Sequence, residues 1–324
     1  MRNPEKSLNH KLLARWIRIG GTTLSSVLFV YLLYQQNWAV TWHELQQVPL
    51  WLWPLSLALV ICGMFFNSLR WYTLLHVQKV RISFVETTKI IFAGAFASNF
   101  LPSTIGGDAY RMVALLRFTP DKVLSVTSVV VDRGMNVLAM LTILPFAFYT
   151  FGASFNLFHP QGRLPGLEQN LPVIAGILVF LARLKDRFLQ TAGVWLKKPS
   201  SLFLAFVISW WSIFVVYLGV WLLALALGIP VRLYQVMGVS AATYLITLLP
   251  ISVNGYGLRE FTVTALYMQL GATLEQASTL ALVTRFFSLV ETLPGALWLS
   301  QIVPSSDETV VPGVETPTPT GKGE

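Results

Sequence analysis

The 324-residue chain is 54% hydrophobic and only 12% charged, with a mean hydropathy of +0.62, whereas water-soluble domains carry about 25% charged residues. That shortage of solvating side chains excludes a soluble enzyme and a disordered protein, and leaves a polytopic membrane protein with room for about six to nine spans of roughly 20 residues. One cysteine, Cys62, excludes a disulfide framework or a cysteine metal site within one chain, and the net charge of +8 reads as topology-setting basic loops before it reads as nucleic-acid binding.

Residues 1–16 are basic and polar, and read as a cytoplasmic segment. Residues 17–35 form the first span; they lie too late, and lack the small-residue cleavage site, for a signal peptide. The second span covers 50–69. Residues 84–101 are short, studded with Thr, Ser, Asn and Gly, and end at Pro102; the apolar stretch 109–116 beyond it is too short to cross a bilayer. Residues 123–149 span despite Asp132 and Arg133. A polar loop, 151–170, leads to a marginal span at 171–181 and a long one at 202–227. The stretch 233–249 ends at Pro250 and is followed by a shorter arm to Leu270. The last span, 277–303, holds Arg285, Glu291 and Pro294. The tail, 304–324, is rich in Pro, Thr and Gly and is expected to be disordered. Trp38, Trp42, Trp51 and Trp53 read as an interfacial belt.

Basic residues orient these spans. Arg2, Lys6, Lys11, Arg15 and Arg18 place the N-terminus in the cytoplasm, while the loop 36–48 has no Lys or Arg. Arg70, Lys79, Arg81 and Lys89 return the chain inside, and Arg111, Arg117 and Lys122 keep it there beyond Pro102. The stretch around Pro102 therefore reads as a re-entrant hairpin, which a bilayer tolerates only where its tip is buried in protein or lines a wet cavity. The break at Pro250 carries only Arg232 and Arg259 nearby and reads as a hairpin from the outside, with the C-terminus cytoplasmic.

The two breaks resemble each other. Aligning Pro102 with Pro250 places Gly107 on Gly255 and Arg111 on Arg259, and each hairpin precedes a span containing an arginine, Arg133 or Arg285. Each half reads span, span, hairpin, span, and an odd number of crossings inverts the second half. The expected fold is an all-α polytopic membrane protein with about six full spans plus two re-entrant helical hairpins. It divides into an inverted repeat, about 17–150 and about 171–303, whose binding site lies at the repeat interface.

Four segments carry a family resemblance: Asn67-Ser68-Leu69-Arg70-Trp71, the Asn99–Arg111 run, Val131-Asp132-Arg133, and Asn254-Gly255-Tyr256-Gly257-Leu258-Arg259-Glu260. Their order and spacing resemble the membrane region of lysylphosphatidylglycerol synthases over nearly the whole chain to about Val303. The resemblance implies a flippase-like domain of a bacterial inner membrane that handles lipid, without the soluble aminoacyl-transfer domain that makes it. A membrane lipid is the implied partner, with a lipid-modifying enzyme as a candidate protein partner; no cofactor and no nucleic acid are implied.

An arginine at the centre of a span costs roughly 2.5–3.5 kcal/mol or more. Arg133 and Arg285 fall roughly 12–15 Å into their spans, near the midplane of a 30 Å core. Two readings remain open. In one, the arginines form internal ion pairs with Asp108, Asp132, Glu260 or Glu291. Adjacent to Arg133 but pointing away from it on a helix, Asp132 is expected to pair with another helix. In the other, Arg111, Arg133, Arg259 and Arg285 bind a lipid phosphate, for which guanidinium offers paired, permanently charged donors. Gly106, Gly107, Gly255 and Gly257 would then let the hairpin backbone come close to the anion, with Asn254 a further contact, and the four carboxylates are candidates to carry a coupling proton. Arg111 and Arg259 have snorkelling to the interface as a further option. The four histidines are scattered, no nucleotide-binding loop is present and no nucleophile–base pair stands out. The functional expectation is a flippase or transporter of an anionic, phosphate-bearing lipid working by alternating access, with a membrane transferase or a non-transporting scaffold as alternatives.

Overall fold

In the computed structural model, residues 34, 38–100, 105–151, 193–196, 198–247 and 255–302 are described. Their secondary structure is helical, in chain order α1 (Trp38–Gln47), α2 (Leu52–Val77), α3 (Phe84–Phe100), α4 (Ile105–Leu115), α5 (Lys122–Phe151), α6 (Gly193–Leu196), α7 (Pro199–Ala226), α8 (Leu233–Thr247), α9 (Leu258–Gln269) and α10 (Leu274–Val290). A 3₁₀ turn (Leu293–Gly295) and α11 (Ala296–Ile302) follow. The first predicted span, the 171–181 span, both proline breaks and the tail lie outside the described residues.

Four stretches are long and apolar enough to cross a membrane: α2, α5, α7 and Leu274–Leu299. They coincide with the four predicted spans that fall within the described residues. Local chemistry sets their ends. Pro199 opens α7, where its missing N–H costs nothing. Thr273 caps α10 by accepting from the Gln276 N–H at 3.1 Å, while Gln276 Oε1 accepts from the Thr273 N–H at 3.1 Å. Pro294 lies in the 3₁₀ turn that divides the last predicted span.

One boundary differs from expectation in a way that matters. The second span was read to end at Leu69, with Arg70 as a loop cation. Instead α2 continues to Val77, and Arg70 is buried at 5% exposure. The helix continues because the charge is met by partners on other helices.

The helices pack around α2 and α7, which share an extensive interface. Both arms of each predicted hairpin touch: α3 lies on α4, and α8 on α9. Two apolar clusters occupy opposite ends of α2. One gathers Leu52 with Leu223, Tyr267, Leu280 and Phe287 from α7, α9 and α10. The other gathers Trp71 and Leu75 with Ile90, Leu115 and Val129 from α3, α4 and α5. The polar interior lies between them. Trp38, Trp42 and Trp51 are largely exposed on α1 and its junction with α2, while Trp53 meets Phe287 edge to face with ring centroids 6.0 Å apart.

Candidate functional site

The charged side chains of the first half converge on Asp132. Its carboxylate is 1% exposed and accepts from Arg70 Nε at 2.7 Å and from Arg111 Nη2 at 2.8 Å. Arg70 Nη1 also donates to Asn136 Oδ1 at 3.3 Å and to Ser209 Oγ at 3.2 Å. Asp108 accepts from Arg133 Nε at 2.9 Å and more weakly from Arg111 Nη1 at 3.4 Å. Asp132 therefore pairs with other helices, as its helical phase requires. Arg111 does not snorkel: it is 6% exposed and its guanidinium lies 4.4 Å from the Trp71 ring centroid. Arg133, paired with Asp108, keeps half of its side chain exposed. Asp132 and Arg133 are neighbours about 100° apart on α5, so they meet different partners.

These groups line a cavity of about 170 Å³ that includes Asn67, Arg70, Asp108, Arg111, Asp132 and Arg133. Gly107 lies on its wall for a packing reason. A Cβ there would stand 2.0 Å from Ser98 Oγ and 2.2 Å from the Gly94 carbonyl oxygen, so the residue lets α4 lie directly on α3. Gly106 is half-buried beside it.

The second half repeats part of this arrangement. Glu260, 2% exposed, accepts from Arg285 Nε at 2.5 Å and, through its other oxygen, from the Gly257 N–H at 2.7 Å, which caps α9. The Arg285 guanidinium lies 4.2 Å from the Tyr256 ring centroid. Asp108–Arg133 and Glu260–Arg285 are both acid–arginine pairs 25 residues apart, each tying the helix after a break to the next long helix. This register is four residues, about one helical turn, beyond the one that aligns the two prolines. Gly255 and Gly257 sit at φ of 72° and 78°, a region that glycine enters without strain. Asn254, the remaining predicted contact, lies outside the described residues.

Arg259 stands apart from the other arginines. Among the described residues it makes no ion pair and no side-chain hydrogen bond. It lines two cavities of about 220 Å³ each, one shared with Asn67, Ser288 and Glu291 and the other with Tyr217, Thr243, Tyr244 and Tyr267. Glu291 shares a cavity with Arg259 yet stays beyond ion-pair distance, and it too has no ion pair among the described residues. Several buried polar atoms around these spaces also lack partners among the described residues: Ser56 Oγ, Thr243 Oγ1, the Tyr267 hydroxyl and Arg285 Nη2. No group of three His, Cys, Asp or Glu side chains among the described residues is placed to hold a metal.

Arg70, Asn136 and Ser209 are the site residues that sequence reading passed over. Arg70 had a signal: after it, Trp71-Tyr72-Thr73-Leu74-Leu75 continues the apolar run with no breaker. A cation inside a continuing span is a buried charge.

Membrane-spanning helices surrounding a network of buried arginines and carboxylates define a multi-pass membrane protein with a charged interior. The family model described as lysylphosphatidylglycerol synthase TM region matches residues 18–295, and the chain belongs to that family, whose description ties it to lipid handling. Comparison with curated proteins gave no match.

Proposed function

We propose that the protein moves an anionic, phosphate-bearing lipid across a bacterial inner membrane by alternating access, with both termini cytoplasmic. The observation that carries this reading is Arg259. The other site arginines each already face a carboxylate. Arg259 has no ion pair and no side-chain hydrogen bond among the described residues and faces two cavities, the arrangement that suits recognition of a phosphate by paired hydrogen bonds.

The two broken stretches, on this reading, are hairpins that dip into the bilayer from opposite faces. Three features support it. The arms of each break pack together, the helices after the breaks lie at opposite ends of α2, and the acid–arginine pair recurs with the same spacing. An inverted pair of halves around a shared polar interior is the architecture that rocks between inward and outward states. Lipid tails would remain in the bilayer while the head group occupies the cavities.

The test is reconstitution in liposomes containing a trace of tail-labelled phosphatidylglycerol, with a membrane-impermeant quencher reporting head-group translocation. Arg259→Gln removes the cation without breaking an ion pair, so it should fold normally and translocate at least tenfold more slowly. A folded Arg259→Gln protein moving lipid at the wild-type rate would overturn the assignment.

A further inference from the structure

The cavities of the two halves meet on one helix. Met64 and Asn67 line both the arginine cavity of the first half and the Arg259–Glu291 cavity of the second, and Asn67 is the polar member of the pair. Extending along α2 in both directions, the same face continues: Ser56, Val60 and Gly63 line the second-half cavity, and Arg70 lines the first-half one. Steps of three or four residues keep these positions on one face. From Ser56 to Arg70 the stripe runs roughly 21 Å at 1.5 Å per residue, most of a hydrocarbon core of about 30 Å.

The polar groups on this stripe are set up to donate. Ser56 is fully buried, and its Oγ has no partner among the described residues; a helical serine ordinarily satisfies itself on the preceding turn. Ser212 on α7 donates to the Gly63 carbonyl oxygen at 3.0 Å and holds the Asn67 amide through a contact of 3.3 Å. Whichever way that amide is turned, at least one of its N–H bonds is left over. Asn67 thus offers a neutral donor between cationic Arg70 and Arg111 on one side and Arg259 on the other. Beside it Met64, 9% exposed, is an unbranched side chain that changes rotamer readily.

We infer that the two cavities are stations on one phosphate path along this face of α2, with the Asn67 amide handing the anion between the halves and Met64 gating the crossing. The inference rests on the proposed lipid-transport function for its cargo, but the path itself is defined by phosphate chemistry. A neutral amide suits the crossing because it binds an anion weakly enough to release it. A carboxylate of the same shape would repel it.

Two assays test the path. In the liposome assay, Asn67→Asp and Met64→Trp should each slow translocation at least tenfold, and Asn67→Gln should retain more than Asn67→Asp. All are compared as folded proteins with unchanged melting. Parallel vesicles measure luminal accumulation of inorganic phosphate and glycerol phosphate; accumulation there with no lipid movement assigns the path to a free anion and removes the lipid reading alone. The second assay labels Asn67→Cys, in a Cys62→Ser background, with a membrane-impermeant thiol reagent. Labelling slowed severalfold by millimolar glycerol phosphate supports the path even if lipid does not move. Wild-type translocation by folded Asn67→Asp or Met64→Trp overturns it, as does an Asn67→Cys thiol that is unreactive from both sides or unprotected by glycerol phosphate.

Discussion

Asp132→Asn tests whether the interior of the first half is held by charge. The side chain is 1% exposed and serves two guanidiniums, at 2.7 and 2.8 Å. Asparagine keeps the shape and one carbonyl oxygen, but its NH₂ must face one of the two arginines, donor against donor. Arg70 retains Asn136 and Ser209, both neutral acceptors, and Arg111 retains the 3.4 Å contact with Asp108. Two buried cations thus lose the anion they share. Removing one partner of a buried pair costs about 3–5 kcal/mol, and the double loss puts Asp132→Asn in the upper part of that range. Detergent-driven unfolding in mixed micelles measures the difference directly. Asp108→Asn is the comparison: its main partner, Arg133, is half exposed, so its loss should cost only about 1 kcal/mol. An Asp132→Asn protein within about 0.5 kcal/mol of wild type, the range of an ordinary surface substitution, would refute a charge-held interior. So would a larger loss from Asp108→Asn.

Gly107→Ala should separate α3 from α4, because the added methyl meets the Gly94 backbone 2.2 Å away. A loss of about 1–3 kcal/mol is expected, read by the same unfolding assay, whereas Gly193→Ala, with nothing within 4 Å, should be neutral. On α1, burial pushes the Glu44 carboxyl above its ordinary value, with the neighbouring Glu275 carboxylate adding to the rise and His43 opposing it. An acid whose folded pKa is raised binds its proton more tightly in the fold, so stability is greatest below its unfolded pKa and falls as pH rises through the window up to the folded value. Melting curves taken upward from pH 4 should show this decline in wild type and less of it in Glu44→Gln; equal slopes would count against the Glu44 assignment.

What the sequence made legible follows from what physics writes locally. Apolar length and composition mark α2, α5, α7 and α10 because nothing but a bilayer or a deep core accepts them. The helical phase of 100° per residue separates Asp132 from Arg133, so their division between different partners was visible in advance. Partner identity was not. Arg70 meets Asp132 across 62 positions of sequence, and no local pattern states which helices are neighbours. The charge rule made matters worse at Arg70, since a cation after an apolar run reads as a cytoplasmic anchor whether it leaves the helix or turns inward. The proline alignment had a similar limit. It matched Arg111 with Arg259, yet the first is paired and buried while the second has no ion pair among the described residues, because the acid–arginine pairs follow a register one turn further on.

That one-turn difference accompanies a difference in chemistry between the two halves. In the first, Arg70, Arg111 and Arg133 share Asp108 and Asp132, and every guanidinium has an acid to face. In the second, Arg285 takes Glu260, the residue next to Arg259, and helical phase prevents Arg259 from sharing the same acceptor with good geometry. Glu291 is the carboxylate that shares a cavity with Arg259, a space of about 220 Å³. A desolvated, unpaired guanidinium would be too costly to keep. The cavity that Arg259 shares with Glu291 has room for roughly seven waters at about 30 Å³ each, enough to solvate the guanidinium. The first half thus sets its arginines against carboxylates, while Arg259 of the second has no ion pair among the described residues.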